Sequence, residues 1–190
     1  MSLLNEILEH NRTFVENQQY EPYRTTKFPD KKLVILSCMD TRLTQLLPEA
    51  MNLRNGDAKI IKNAGAIISD PFDNITRSLF VAIYELGAEE VCVVGHHDCG
   101  MAGIQPARTV EKMTDRGVPR SVIDTLERSG IRLETWLQGF DSVEESVQKS
   151  AAILRNHPLL PEGVPVHGLV IHPETGKLDL VTEGYGKRGL

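Results

Sequence analysis

The stretch KLVILSCMDTR, residues 32–42, decides the fold class. Its opening, Lys32–Ser37, is a short unbroken apolar run. A strand covered on both faces reads this way, because neither face has to meet water. The run stops at Cys38, Asp40 and Arg42, three residues with chemistry to offer. The arrangement recurs downstream, where EVCVVG, residues 90–95, runs into His96, His97, Asp98, Cys99 and Gly100. AKIIK (58–62) and VHGLVI (166–171) read as two further strands. KLDLV (177–181) alternates like an edge strand, folded back on its neighbour by the turn His172–Gly176.

Helical segments separate these runs. Thr44 to Met51 reads as a short helix, and Asn74 to Leu86 as a longer one ended by Gly87. Ile75, Leu79, Ala82, Ile83 and Leu86 fall on one stripe of it. Gln105 to His157 is helical and polar, with breaks at Gly117-Val118-Pro119, Gly130 and Gly139. The order predicts an α/β fold: a mostly parallel central sheet of about four strands plus an antiparallel edge strand, flanked by helices. Ahead of it, Leu3, Leu4, Ile7, Leu8 and Phe14 sit near helical spacing without a partner close in sequence. They predict an N-terminal helical arm that packs on the body or on another subunit. The expected organisation is one domain over 1–190: an arm at 1–25, a core at 31–104, a helical segment at 105–157 and a C-terminal hairpin at 164–183.

The chain has 190 residues, 41% of them hydrophobic and 25% charged. That length hides about 70% of the unfolded chain's surface, enough for a real core. The composition excludes a collagen, a disordered acidic tail and a coiled-coil rod. With 21 Lys and Arg against 26 Asp and Glu, the net charge is −5. A nucleic acid is therefore not an expected partner, since phosphate binding needs a basic surface. No apolar run approaches the ~18 residues that span a bilayer, so no membrane partner is expected either. MSLLNEILEH lacks the basic start and apolar block of a signal peptide, and the expected location is cytoplasmic. Cys38, Cys92 and Cys99 are an odd number for a disulfide framework. In a reducing compartment cysteines near histidines point to metal or catalysis.

In sheets of this kind ligands gather at the carboxyl ends of the strands. Zn²⁺ favours thiolate and imidazole in tetrahedral geometry. Cys38, His96 or His97, and Cys99 offer three such ligands, which leaves a fourth position for water. A closed structural site would need a fourth protein ligand, and Asp40 is the nearest candidate. Cys92, inside a strand, reads as an inert core cysteine. His10, His157, His167 and His172 read as surface or structural histidines, and Arg77 and Trp136 as packing or ion-pair residues. Asp98 reads as the cap of a helix that follows. Nucleophilic thiol chemistry on phosphate fits poorly. Only three residues separate Cys38 from Arg42, and Asp40 among them would repel the dianion.

Cys38-x-Asp40-x-Arg42 followed by Gly95-His96-x-x-Cys99-Gly100 resembles the paired signature of the β-class carbonic anhydrases, in their small prokaryotic branch. Lys62-Asn63-Ala64-Gly65-Ala66 resembles that family's loop between the two motifs. The likeness runs over residues 31–104 and returns in the hairpin VHGLVIHPETGKLDLV. It implies one zinc ion per subunit held by Cys38, His96 and Cys99, with Asp40 and Arg42 as a dyad beside it. It implies reversible hydration of carbon dioxide to bicarbonate, and an N-terminal helix that embraces a partner in a homodimer or higher homo-oligomer. The chain departs from the family at Ile35, where the bicarbonate-regulated branch has Trp. Met101 stands where many members have a second Gly, and Leu43-Thr44 replaces Val-Pro. Relatives that hydrolyse carbon disulfide leave CS₂ or COS as an alternative substrate. A non-catalytic zinc-binding regulatory dimer is a further alternative.

The residues suggest roles within that reading. Asp40, kept ionised by Arg42, would accept a hydrogen bond from the nucleophile. Freed from Arg42, it would reach the metal and close the site. Gly100 is expected to open a helix just after Cys99 and to offer its N–H to an oxygen of bicarbonate. Two thiolates cancel the charge of the ion, so activity is expected to rise on the alkaline side of neutrality.

Overall fold

The computed structural model describes residues 2–185; Met1 and residues 186–190 of the expected 1–190 domain lie outside them. Five strands form one sheet: β1 (Leu33–Cys38), β2 (Ala58–Asn63), β3 (Glu90–His96), β4 (Val166–Ile171) and β5 (Leu178–Thr182). Their spatial order is β2-β1-β3-β4-β5. The first four are parallel and β5 runs antiparallel to β4, as expected from the alternating pattern of its residues.

The helices are α1 (Leu3–Glu16), α2 (Leu43–Ala50), α3 (Asn74–Tyr84), α4 (Pro106–Asp115), α5 (Arg120–Arg128), α6 (Leu133–Trp136) and α7 (Val143–Arg155). Side-chain caps start three of them. Ser2 Oγ accepts from Asn5 N, Asp73 Oδ1 from Thr76 N, and Ser142 Oγ from Glu145 N. The breaks between α4, α5, α6 and α7 fall at the glycines and the proline named above.

Because strand side chains alternate in direction, each central strand feeds two cores. Val34, Leu36, Val91, Val93, Val166 and Val170 pack on one face with residues of α3 and α7. Ile35, Cys92, Val94 and Ile171 pack on the other with Leu43 and Leu47 of α2. The α7 helix comes unusually near the sheet. A Cβ on Gly95 would lie 2.7 Å from methyls of Val143 and Val147, and one on Gly168 would lie 2.7 Å from Val147. These two glycines cut the groove in which α7 sits.

The connection β1–α2–β2 leaves the sheet on one side of β1. The chain then returns through α3 to lay β3 against the other side of β1. The carboxyl ends of β1 and β3 therefore flank the point where strand order reverses, where open α/β sheets bind ligands.

One expectation fails here. No helix begins at Gly100: Cys99–Ala102 closes a turn through Ala102 N to Cys99 O at 2.9 Å, and α4 starts only at Pro106. Ala102 is instead drawn into a bridge with Phe140, and the fixed φ of proline starts the helix four residues later. Asp98 consequently caps no helix.

Candidate metal centre

Cys38 is the last residue of β1 and His96 the last of β3, and Cys99 lies one turn beyond. Adjacent parallel strands ending together bring the three side chains into one place. All three are buried: Cys38 is 5% exposed, His96 0% and Cys99 6%. Their ligand atoms lie within 4.8 Å of one another. The two sulfurs are 3.9 Å apart. Two thiolates on one tetrahedral zinc, at about 2.3 Å each, would be about 3.8 Å apart.

The imidazole is oriented for the same purpose. His96 Nδ1 lies 2.8 Å from the His97 carbonyl oxygen, a bond that places the proton on Nδ1 and the free lone pair on Nε2. Nε2 is buried and finds no hydrogen-bond partner among the described residues. A buried nitrogen without a partner is costly, and a metal ion satisfies it. The His96/His97 alternative is thus resolved geometrically: the His96 ring joins the cluster, while His97 contributes its backbone. The set fits zinc.

The loop after β2 closes the site from the side of Cys38. The Gly65 N–H donates to Cys38 Sγ at 3.4 Å. Gly65 has φ +81°, and a Cβ there would lie 3.1 Å from Met101 and 3.0 Å from Ile67, so both conformation and space call for glycine.

Charges in the cluster are interdependent. The Cys38 thiol is pulled well below its ordinary value, chiefly by a hydrogen bond from Cys99, with help from His96 and the Gly65 N–H against burial. The Cys99 thiol is pushed up, first by that same bond to Cys38 and then by burial. Burial lowers the His96 pKa, but the Cys38 sulfur, the His97 carbonyl and Asp40 outweigh it, and the net direction is upward.

Asp40 stands beside the cluster, its Oδ2 3.8 Å from His96 Nε2. It is tied to Arg42 three times: Oδ1 accepts from Arg42 N at 2.9 Å and Nε at 3.0 Å, and Oδ2 from Nη2 at 2.9 Å. The first bond is an Asx turn leading into α2, the second and third a side-on fork. Hydrogen bonding from Arg42 holds the Asp40 carboxyl at about 2, well below the usual carboxylate range. Gly100 lies in the turn after Cys99, where a Cβ would meet no described atom within 4 Å.

Three contributors were not foreseen from sequence: the Gly65 N–H, the His97 carbonyl, and Asp98, which grips Arg42. Only Gly65 carried a signal, as part of the Asn63-Ala64-Gly65-Ala66 loop. The histidines read as structural are so: His157 and His167 are buried and hydrogen-bonded to backbone, and His172 Nδ1 accepts from Glu174 N. Cys92 is buried in β3, and burial pushes its thiol up to about 12.

The family model described as carbonic anhydrase matches residues 33–178, which span both ligand-bearing strands, the Gly65 loop and the start of β5. The chain belongs to the β-carbonic anhydrase family. It is 64% identical over 185 residues to the Bacillus subtilis protein YvdA, named provisionally as a carbonic anhydrase; the match covers 97% of this chain and 94% of that one. The crystal structure of a β-carbonic anhydrase, isoform I, from Trichomonas vaginalis superposes with a TM-score of 0.88. It is 34% identical, with 97% of this chain and 100% of that chain covered. A carbon disulfide hydrolase of Saccharolobus solfataricus is 35% identical over 78% of this chain and 76% of its own. Among the described residues no helix is long and apolar enough to cross a membrane.

Proposed function

We propose that this β-carbonic anhydrase chain binds one zinc ion through Cys38, His96 and Cys99 and hydrates carbon dioxide reversibly to bicarbonate and a proton. One observation carries the reading: an arginine-clamped carboxylate, Asp40, stands 3.8 Å from the unpartnered nitrogen of the metal-binding imidazole. A purely structural zinc site has no use for such a pair, which argues against a non-catalytic regulatory protein. Bound zinc supplies a Lewis acid that makes a water molecule acidic enough to attack carbon dioxide near neutral pH.

The residues then divide the work. His96 Nδ1 keeps its proton on the His97 carbonyl, so Nε2 faces the metal. Arg42 holds Asp40 ionised and fixed. With a pKa of about 2, Asp40 is a poor base at neutral pH; it accepts a hydrogen bond and orients the nucleophile rather than taking its proton. Arg42 also keeps the Asp40 carboxylate off the metal. Gly100, without a side chain, leaves room for substrate beside Cys99.

The relationship to a carbon disulfide hydrolase favours a second reading, hydrolysis of CS₂ or COS. All three molecules are linear triatomics with an electrophilic carbon, so one nucleophile serves each. We place the protein in the cytoplasm, where its free cysteines stay reduced. We further propose a homodimer or higher homo-oligomer, in which α1 packs on a partner. Leu3, Leu4, Ile7 and Leu8 are 54% to 72% exposed, and α1 buries no residue in its own chain.

The test is stopped-flow hydration of carbon dioxide between pH 6 and 9, with zinc content measured on the same sample and CS₂ and COS run beside it. The expected result is one zinc per chain and activity that rises on the alkaline side of neutrality. Arg42→Ala is expected to keep its zinc and lose at least about tenfold in kcat/KM, the loss of one well-placed charged contact. A zinc-loaded parent no faster than buffer, or an Arg42→Ala variant equal to the parent, would overturn the assignment.

A further inference from the structure

Asp98 lies between His96 and Cys99, and the mechanism above gives it no task. Its carboxylate is nonetheless engaged: Asp98 Oδ2 accepts from Arg42 Nη1 at 2.8 Å, and its backbone oxygen accepts from Arg42 Nη2 at 2.9 Å. We propose that Asp98 is a positioning residue, which grips the far edge of the Arg42 guanidinium and so turns its near edge onto Asp40. The inference rests on the functional reading given above and deepens it.

A guanidinium presents five N–H groups in a rigid plane. Here Nε and Nη2 form the side-on edge that meets Asp40, while Nη1 and Nη2 form the end that meets Asp98. The two Nη2 hydrogens serve the two aspartates separately, so four of the five donors are committed. Asp40 and Arg42 are two residues apart on one loop and would swing together. Asp98 is 56 positions away, on the loop after another strand, and ties that pair to the turn carrying His96 and Cys99.

The backbone is shaped for this contact. Asp98 has φ +52°, in the left-handed region that aspartate and asparagine tolerate better than most residues. That turn delivers both its carbonyl and its carboxylate to Arg42. The Asp98 side chain is 84% exposed, so the ion pair adds little to stability. Its effect lies in the direction Arg42 faces.

The experiment has two arms on the full-length chain. In the first, ¹⁵N NMR follows rotation of the Arg42 guanidinium in metal-free and zinc-loaded protein. Slow rotation with resolved Nη signals is expected for the parent and for Asp98→Asn, which keeps an acceptor and tolerates the left-handed turn. Fast, averaged signals are expected for Asp98→Ala. Should Asp98→Ala misfold, Asp98→Gly removes the carboxylate and keeps the backbone turn, and loss of the resolved Nη1 signals is the expected result. In the second arm, kcat/KM for carbon dioxide is expected to fall about fivefold in Asp98→Ala, the size an exposed pair with a second hydrogen bond sets. The same substitution made in Arg42→Ala is expected to change nothing further. Arg42 rotation that is equally slow in parent, Asp98→Ala and Asp98→Gly would overturn the proposal. So would an equal loss in both backgrounds. If no protein in the series hydrates carbon dioxide, the functional reading fails, and the NMR arm still decides the role of Asp98.

Discussion

Cys99 and Cys38 carry identical thiols in one buried cluster, yet their proton affinities move in opposite directions. The bond between them is the cause: the sulfur that ionises first is stabilised by its neighbour's S–H, and the neighbour then resists a second ionisation beside it. Zinc requires both as thiolates, so metal uptake must expel the Cys99 proton. Zinc added to metal-free protein at pH 7.5 is expected to release at least one proton per site, read with an indicator dye in weak buffer. Apparent zinc affinity should accordingly fall by about tenfold or more for each unit the pH drops. Uptake without proton release would contradict the pairing. The residues of this cluster were legible in sequence because each stands where an apolar run stops, and a cysteine or histidine there has few bland explanations. Asp98 was not. Its side chain reads equally well as a helix cap, and only the left-handed turn between His96 and Cys99 turns it to Arg42.

Among the elements, α7 has the tightest seat on the sheet. Gly95 and Gly168 remove the side chains that would hold it off, and Val147 occupies the space above both. Gly95→Ala would push a Cβ into two valine methyls at 2.7 Å. Overpacking of this kind costs about 1–3 kcal/mol. For a chain of this size the melting temperature should fall by about 3–9 °C in calorimetry, and an unchanged transition would show that α7 shifts at no cost. The strands themselves were plain in sequence, since continuous apolar runs bounded by turns admit few alternatives. The helical segment read from Gln105 does start there, with Gln105 as the N-cap of α4, whereas the helix expected to open at Gly100 does not form. The polar stretch after Cys99 has no helical periodicity to place a boundary, yet Pro106 was the available signal, since proline favours the first turn of a helix.

At the scale of the molecule, α1 is the element its own chain does not explain. Leu3, Leu4, Ile7, Leu8 and Val15 are exposed on it, although burial of such a stripe is what normally holds an amphipathic helix in place. Ile7, 54% exposed, makes a sharp probe. Ile7→Glu is expected to leave the fold of the body intact and to shift the sedimentation coefficient from that of an oligomer to that of a monomer. A parent that sediments as a monomer would remove the reason for the arm. Sequence could announce this helix by its spacing but not its partner, because periodicity reports a face and not what covers it.

Reversal of strand order at β1 has a consequence for biosynthesis. The paired sulfurs are 61 positions apart, and two strands, β2 and β3, and two helices, α2 and α3, are laid down between them. No short stretch of nascent polypeptide can capture a cation in the native manner. A ribosome must deliver the chain beyond Cys99 before all three ligands exist, so the centre cannot be filled while only the first strands have emerged.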